Sequence, residues 1–292
     1  MKFRVRHVTT YHYSDPVSLS HHAAHLRPRR DTGQHHHSVD LDIRPFPAVL
    51  RDENGDYFGN PTTFFTIQEP HTTLEVEASF EVETHAAPDL PADGGGAWDL
   101  ARLRLAADND PKTEAALDFL YASSQIPLLF EARAYAAPSF WPGRPLIEAA
   151  LDLTQRINTD FKFDPDATAV GIPLAEVFEL RRGVCQDFAH AGIACLRAMG
   201  LAARYVSGYI RTLPPPGKEK LEGADASHAW LALFVPDWGW LDLDPTNNMV
   251  AGEDHVIVAW GRDYDDVSPI RGVVLGGGEH HVDVAVDVNA VG

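Results

Sequence analysis

Apolar and polar positions alternate at period two through residues 1 to about 88, the spacing of half-buried strands. The opening run Met1-Lys2-Phe3-Arg4-Val5-Arg6-His7-Val8 has this pattern, and residues 6–13 continue it up to Ser14-Asp15-Pro16, a turn signal. Val39, Leu41 and Ile43 alternate with Asp40, Asp42 and Arg44. Residues 52–56 and 58–61 read as turns, and 62–68 and 73–82 as strands. Short strands between turn signals predict a β-sandwich-like domain over residues 1–88. Residues 86–96, rich in Pro and Gly, are the best linker candidate, and the connection between the domains is placed at 89–110.

From residue 111 the period changes. Asp110-Pro111-Lys112-Thr113-Glu114 opens a helix with proline in its first turn. Residues 145–161 and 174–180 give two more. Cys185, Phe188, Ala189, Ile193, Leu196 and Met199 form one apolar stripe at helical spacing, and Gly200 is a natural stop. Strands follow at 203–210, 228–235 and 240–244, the last two joined by Pro236-Asp237-Trp238-Gly239. Residues 281–288 alternate strictly, with Val282, Val284, Val286 and Val288 on one face, and close the chain as a half-buried strand. The expectation is an α+β fold: an amino-terminal β domain, a connection, and a mixed core over 111–292 that includes the last strand.

Composition narrows the function classes. The 292 residues are 45% hydrophobic, enough for one large domain or two smaller ones with real cores. A formal charge of -18 argues against nucleic acid and against an anionic membrane surface as partners. No run of about 18 apolar residues predicts a membrane span, and residues 1–8 lack the apolar centre of a signal peptide. Cys185 and Cys195 lie on one predicted helix, about 15 Å apart, too far to bridge. Reduced thiols in a cytoplasm are expected.

Cys185 carries the candidate chemistry. The thiolate is the reactive form of cysteine, and the unpaired N–H groups and positive dipole end of a helix start stabilise that anion. The same N–H groups can receive the oxyanion of a tetrahedral intermediate. Considered alone, a free cysteine is more often a small buried apolar residue, which is the role assigned to Cys195. The partners of Cys185 change those odds. If the turn between the two strands centres near Asp237, Trp230 pairs with Asp244. His228 and Asp244 then become diagonal neighbours on one face, roughly 7 Å apart at Cβ. Asp244 would orient and charge-stabilise the imidazole. Asp242 competes for that role on the same strand face; Asp244 is preferred because it ends the strand before Pro245, where a side chain can face a cleft.

Several motifs resemble the bacterial transglutaminase-like proteins, described as candidate cysteine proteases of the transglutaminase core superfamily. They are Gly183-Val184-Cys185-Gln186-Asp187-Phe188-Ala189-His190, Ala203 through Tyr209, Ser227-His228-Ala229-Trp230, Gly239-Trp240, and Asp244-Pro245-Thr246-Asn247-Asn248. Tyr11-His12-Tyr13 and Asp56-Tyr57-Phe58-Gly59-Asn60 resemble the β domain preceding that core, and residues 261–269 a segment following it. The resemblance implies Cys185 as nucleophile, His228 as general base and acid, and Asp244 as the imidazole-orienting group. It also implies a papain-like core with the cysteine helix packed on an antiparallel sheet. The Pro-rich stretch from Leu213 to Lys220 departs from the pattern and bears on substrate choice.

The expected function is cysteine-dependent acyl transfer from an amide or peptide bond through a thioester, with water as the preferred acceptor. Amine transfer, as in a transglutaminase, is the alternative, and a catalytically silent binding module on the same scaffold is the rival from another class. Protein, peptide or small-amide substrates are the expected partners. No cofactor and no calcium are expected, since no acidic loop has calcium-ligand spacing. The histidine pairs and triplet at 21–22, 35–37 and 280–281 lack zinc spacing and read as solvated rather than as a structural metal site. His190, about 140° around the helix from Cys185, has no assigned role. Trp230, Trp238 and Trp240 read as sheet packing, and Asp187 as a complement to the helix dipole.

Overall fold

The structure is a computed structural model that describes residues 1–30, 33–87, 89–107, 110–165, 172–212, 225 and 227–291. The Leu213–Lys220 stretch lies outside the described residues. The first strands are β1 (Lys2–Ala24), β2 (Gln34–Arg44), β3 (Val49–Glu53), β4 (Thr62–Ile67) and β5 (His71–Thr84). The helical segment follows with α1 (Trp98–Ala107), α2 (Pro111–Ala116), α3 (Phe130–Ala136) and α4 (Leu146–Asp160). The short strand β6 (Lys162–Phe163), helix α5 (Leu174–Leu180) and short strand β7 (Arg182–Gly183) lead to α6 (Cys185–Ala198). The remainder is β8 (Ala203–Ile210), β9 (Ser227–Val235), β10 (Gly239–Asp244), β11 (Met249–Val250), β12 (His255–Gly261), α7 (Tyr264–Val267), β13 (Ile270–Gly276) and β14 (His280–Ala290).

The amino-terminal strands form one antiparallel sheet built on β1. Residues 2–12 of β1 pair with β5 and residues 20–24 with β4, while residues 3–13 pair with β14 and 17–24 with β13. The expected turn at Ser14-Asp15-Pro16 is instead an irregularity in a continuous strand, with the pairing register shifting between His12 and Val17. Proline has no N–H for a ladder, so it sits where the ladder breaks. Glu69-Pro70 and Gly276 to Gly278 interrupt the flanking strands alongside the same point. These breakers divide the sheet into two halves rather than reversing the chain, so the expected sandwich-like domain is a single curled antiparallel sheet.

Two expected boundaries change. The 89–110 connection contains α1, whose Trp98 and Ala101 are buried in the main core. The last strand, expected with the core of 111–292, is hydrogen-bonded along β1 in the first sheet. Only its second half is covered: Val286 and Val288 are buried, and Val282 and Val284 are exposed.

The second sheet runs β11-β10-β9-β8-β12. Helix α6 lies against β9 and β8, with Ala189, Ile193 and Leu196 in one core with Leu231, Leu233 and Ala203. Gly192 permits this close approach: a Cβ there would stand 2.3 Å from Leu231 Cδ2. A separate apolar cluster joins the two sheets, with Phe3, Val5, Phe80, Val82, Val286 and Val288 meeting Tyr209, Val256 and Val258. Around it, two amide side chains reach across to the edge of β12. Gln34 Nε2 donates to Ile257 O at 2.6 Å, and Ile257 N donates to Gln34 Oε1 at 2.8 Å. Asn60 does the same with Trp260, at 2.8 Å and 2.9 Å. These pairings satisfy main-chain groups that an edge strand leaves open.

Candidate active site

Cys185 is the first residue of α6, and the turn that delivers it is tightly specified. Asp187 Oδ2 accepts the Val184 N–H at 2.8 Å, while Asp187 N donates to Val184 O at 3.0 Å. Asp187 is thus a cap as well as a complement to the helix dipole. Gly183 precedes this turn with φ of +156°, and a Cβ there would stand 2.2 Å from Asp187 Oδ2. Glycine is therefore required for the helix to begin at Cys185.

β9 and β10 pair as expected: Ala232 lies opposite Asp242 and Leu231 opposite Leu243, so Trp230 comes next opposite Asp244. That register makes His228 and Asp244 diagonal neighbours, and His228 Nε2 meets Asp244 Oδ2 at 2.8 Å. Asp242 is engaged elsewhere, accepting Trp230 Nε1–H at 2.9 Å. Asp244 is fully buried and its Oδ1 accepts the N–H groups of Thr246 (2.9 Å) and Asn247 (3.1 Å). Its Oδ2 also receives Asn247 Nδ2 at 2.7 Å and faces His255 Nε2 at 3.2 Å.

The electrostatics follow from this convergence. Burial opposes charge on the His228 imidazole, but hydrogen bonds to Asp244 and to Cys185, with their charges, outweigh it and push its pKa up to about 9. Burial likewise penalises the Asp244 carboxylate, yet bonds from His228, His255 and Asn247 hold it well below the usual carboxylate range. An ionised Asp244 can only accept, so the His228 Nε2 carries a proton. The other ring nitrogen, Nδ1, is left for the Cys185 thiol. The ligand atoms of His228, Asp244 and His255 also lie within 4.8 Å of one another, a spacing that a metal ion can bridge. Both histidines already meet Asp244 Oδ2 at hydrogen-bonding distance, so the cluster is complete as a hydrogen-bonded relay.

Cys195 is wholly buried mid-helix, and burial pushes its thiol pKa far up. His190 is buried too: its Nε2 accepts the Tyr264 N–H at 3.3 Å, and burial first, then Arg197, lower its pKa to about 3. Trp230 packs within the sheet core and Trp240 beneath Arg204. The histidine clusters split. His35, His37, His280 and His281 are exposed, but His22 is buried against Phe65, with its pKa lowered to about 4 by burial and by His71 and His21. His255 and the Asn247 amide are the site residues that sequence reasoning missed. Asn247 stood in a quoted motif without a role, and His255 stood alone at the start of a strand.

A helix-start cysteine beside a strand-borne histidine and aspartate, on an antiparallel sheet, defines a cysteine enzyme of the transglutaminase-like kind. Residues 134–245 match the model of the transglutaminase-like superfamily, and residues 3–83 match that of the bacterial transglutaminase-like N-terminal region. The chain belongs to this bacterial transglutaminase-like family. It is 42% identical over 296 residues to an uncharacterized protein of Mycobacterium tuberculosis, covering 98% of this chain and 92% of the relative. A protein-glutamine gamma-glutamyltransferase of Pseudomonas aeruginosa is 37% identical over 98 residues, which is 32% of this chain and 15% of that one. The fold matches the solved structure of a candidate cysteine protease from Cytophaga hutchinsonii with a TM-score of 0.75 at 20% identity, covering 99% of this chain and 90% of that one.

Proposed function

We propose that this protein cleaves an amide or peptide bond by acyl transfer to Cys185. The observation that carries the reading is the placement of His228 between Cys185 and Asp244. In the first half-reaction the Cys185 sulfur bonds to the carbonyl carbon and the C–N bond breaks. The amine leaves with the proton held by His228, and the acyl group remains as a thioester. In the second, His228 takes a proton from the incoming acceptor, which attacks the thioester and frees the thiolate. Asp244 keeps Nε2 protonated and stabilises the imidazolium that precedes the first half-reaction and is regenerated by the second. The N–H groups at the start of α6 are the donors available to the oxyanion.

Water is the acceptor in the reading we favour, making the enzyme a protease or amidase acting on protein, peptide or small-amide substrates. The similarity to a protein-glutamine gamma-glutamyltransferase supports amine transfer as the second reading. Two free thiols suit a reducing compartment, and we place the protein in the cytoplasm; no helix among the described residues is long and apolar enough to cross a membrane. The test is trapping. The protein is incubated with peptide libraries, with and without added amines, and intact mass is followed. A thioester adduct that is absent in Cys185→Ala supports the mechanism, and its decay products identify the acceptor. Turnover that persists in Cys185→Ala overturns it.

A further inference from the structure

His255 stands at the start of β12, with two strands between it and the strand of Asp244 in the sheet order β10-β9-β8-β12, yet its ring meets the Asp244 carboxylate. It is 5% exposed, packed edge-on against Trp230 with ring centroids 5.1 Å apart. Its tautomer is set locally. Gly252 N–H points at Nδ1 at 3.3 Å, so Nδ1 is the acceptor and the proton lies on Nε2. That Nε2–H is aimed at Asp244 Oδ2, 3.2 Å away. The same oxygen takes His228 Nε2 at 2.8 Å and Asn247 Nδ2 at 2.7 Å. Three donors therefore share one carboxylate oxygen.

His255 is not needed to hold Asp244 in place. Oδ1 is fixed by two main-chain N–H groups and Oδ2 by the neighbouring Asn247 amide. What a third donor does is divide the charge on Oδ2. We propose that His255 is a positioning residue of the site: its neutral Nε2–H occupies Asp244 Oδ2 beside His228 and limits how strongly that carboxylate holds the His228 imidazolium. This rests on the roles given above to Asp244 and His228. An imidazole held too firmly as its conjugate acid is already protonated when the acceptor arrives and cannot take its proton in the second half-reaction, so the third donor, by keeping more of the ring in its free form, favours thioester breakdown.

The amino-terminal domain enters this arrangement through β12. Gln34 and Asn60 grip its outer edge at Ile257 and Trp260, and Thr84 Oγ1 donates to Glu253 O at 2.5 Å just before it. The Asp56-Tyr57-Phe58-Gly59-Asn60 motif is explained by the same contact. Asp56 accepts the N–H groups of Phe58 and Asn60 at 2.8 Å and the Asn60 amide at 2.9 Å, which aims that amide at Trp260. Among the described residues, the titratable groups acting on His228 are Asp244 from β10 and Cys185 from α6, with the His255 ring 6.2 Å away on β12. Asp254, next to His255, is paired with Arg211 at 2.7 Å.

The experiment is a pH titration of His228 by NMR in protein labelled with 15N-histidine, for the wild type, His255→Phe and His255→Gln. His228 in the wild type is expected to titrate near pH 9. His255→Phe should raise that midpoint by about one pH unit, because Oδ2 loses a competing donor. His255→Gln, whose amide can donate to the same oxygen, should restore the wild-type value. An unmoved midpoint in His255→Phe overturns the inference while leaving the roles of Asp244 and His228 intact. A wild-type midpoint near 6.5 would instead overturn those roles. Should His255→Phe not fold, the wild-type spectra still decide: His255 must show a proton on Nε2 and a bare Nδ1 at neutral pH, and the opposite tautomer refutes the proposal.

Discussion

Replacing Asp244 by asparagine isolates the charge of the buried carboxylate from its shape. The new side-chain oxygen can still accept the Thr246 and Asn247 N–H groups that now meet Oδ1. At the other position, an NH2 group would face the His228 Nε2–H, donor against donor. The imidazolium then loses its counter-charge but stays buried, and burial lowers its pKa. A shift from 6.5 to about 9 corresponds to roughly 3 kcal/mol of preference for the charged ring, as an order of magnitude, with Asp244 the larger contributor and Cys185 the smaller. A histidine whose folded pKa is raised stabilises the fold fully below its unfolded pKa and loses that contribution as pH rises through the folded value. The cost of Asp244→Asn should therefore be about 2 kcal/mol at pH 6, on the scale of a lost charged hydrogen bond, and should shrink steadily between pH 6.5 and pH 9. Urea unfolding of both proteins at pH 6, 7.5 and 9.5 measures this difference. A cost that is the same at all three values refutes the ion-pair reasoning.

Three further outcomes follow from packing. Gly183→Ala puts a methyl group 2.2 Å from Asp187 Oδ2 and breaks the cap before Cys185, which should cost about 1–3 kcal/mol in urea unfolding and slow alkylation of Cys185. Gln34→Leu leaves the N–H and C=O of Ile257 without their partners at the joint between the sheets, at about 1–3 kcal/mol; an unchanged midpoint in chemical denaturation would show the grip to be dispensable. Cys195, wholly buried, should resist iodoacetamide in the native protein and react only on unfolding, as peptide mapping would reveal.

What was legible in the sequence was what local periodicity controls. The stripe from Cys185 to Met199 is α6, and the parity of His228 and Asp244 survived because the turn at Asp237 fixes the register that brings them together. Where several ranges of contact compete, the reading failed for identifiable reasons. In α1 the apolar Leu100 and Leu103 face solvent, so its pattern did not reveal the buried Trp98 and Ala101, and the segment read as a connection. Ser14-Asp15-Pro16 carries the chemistry of a turn, but the ladders on both sides of β1 carry the strand through it. The alternation of the last strand was visible, whereas its pairing with β1, some 280 residues earlier, is a property of topology. His255 was missed for the same reason. It reaches Asp244 from a strand that is not adjacent to β10, and no spacing along the chain encodes that contact.

The central claim is that His228 activates Cys185, and chemical labelling addresses it directly. The rate of iodoacetamide alkylation at Cys185 is measured at pH 6.5 in the wild type and in His228→Ala, with the mass of the Cys185 peptide as readout. Loss of the imidazolium beside the thiol should slow alkylation at least about tenfold, because less of the thiol is held as the reactive thiolate. Equal rates in the two proteins would mean that the thiol owes nothing to His228, and the account of a nucleophile at Cys185 would be contradicted.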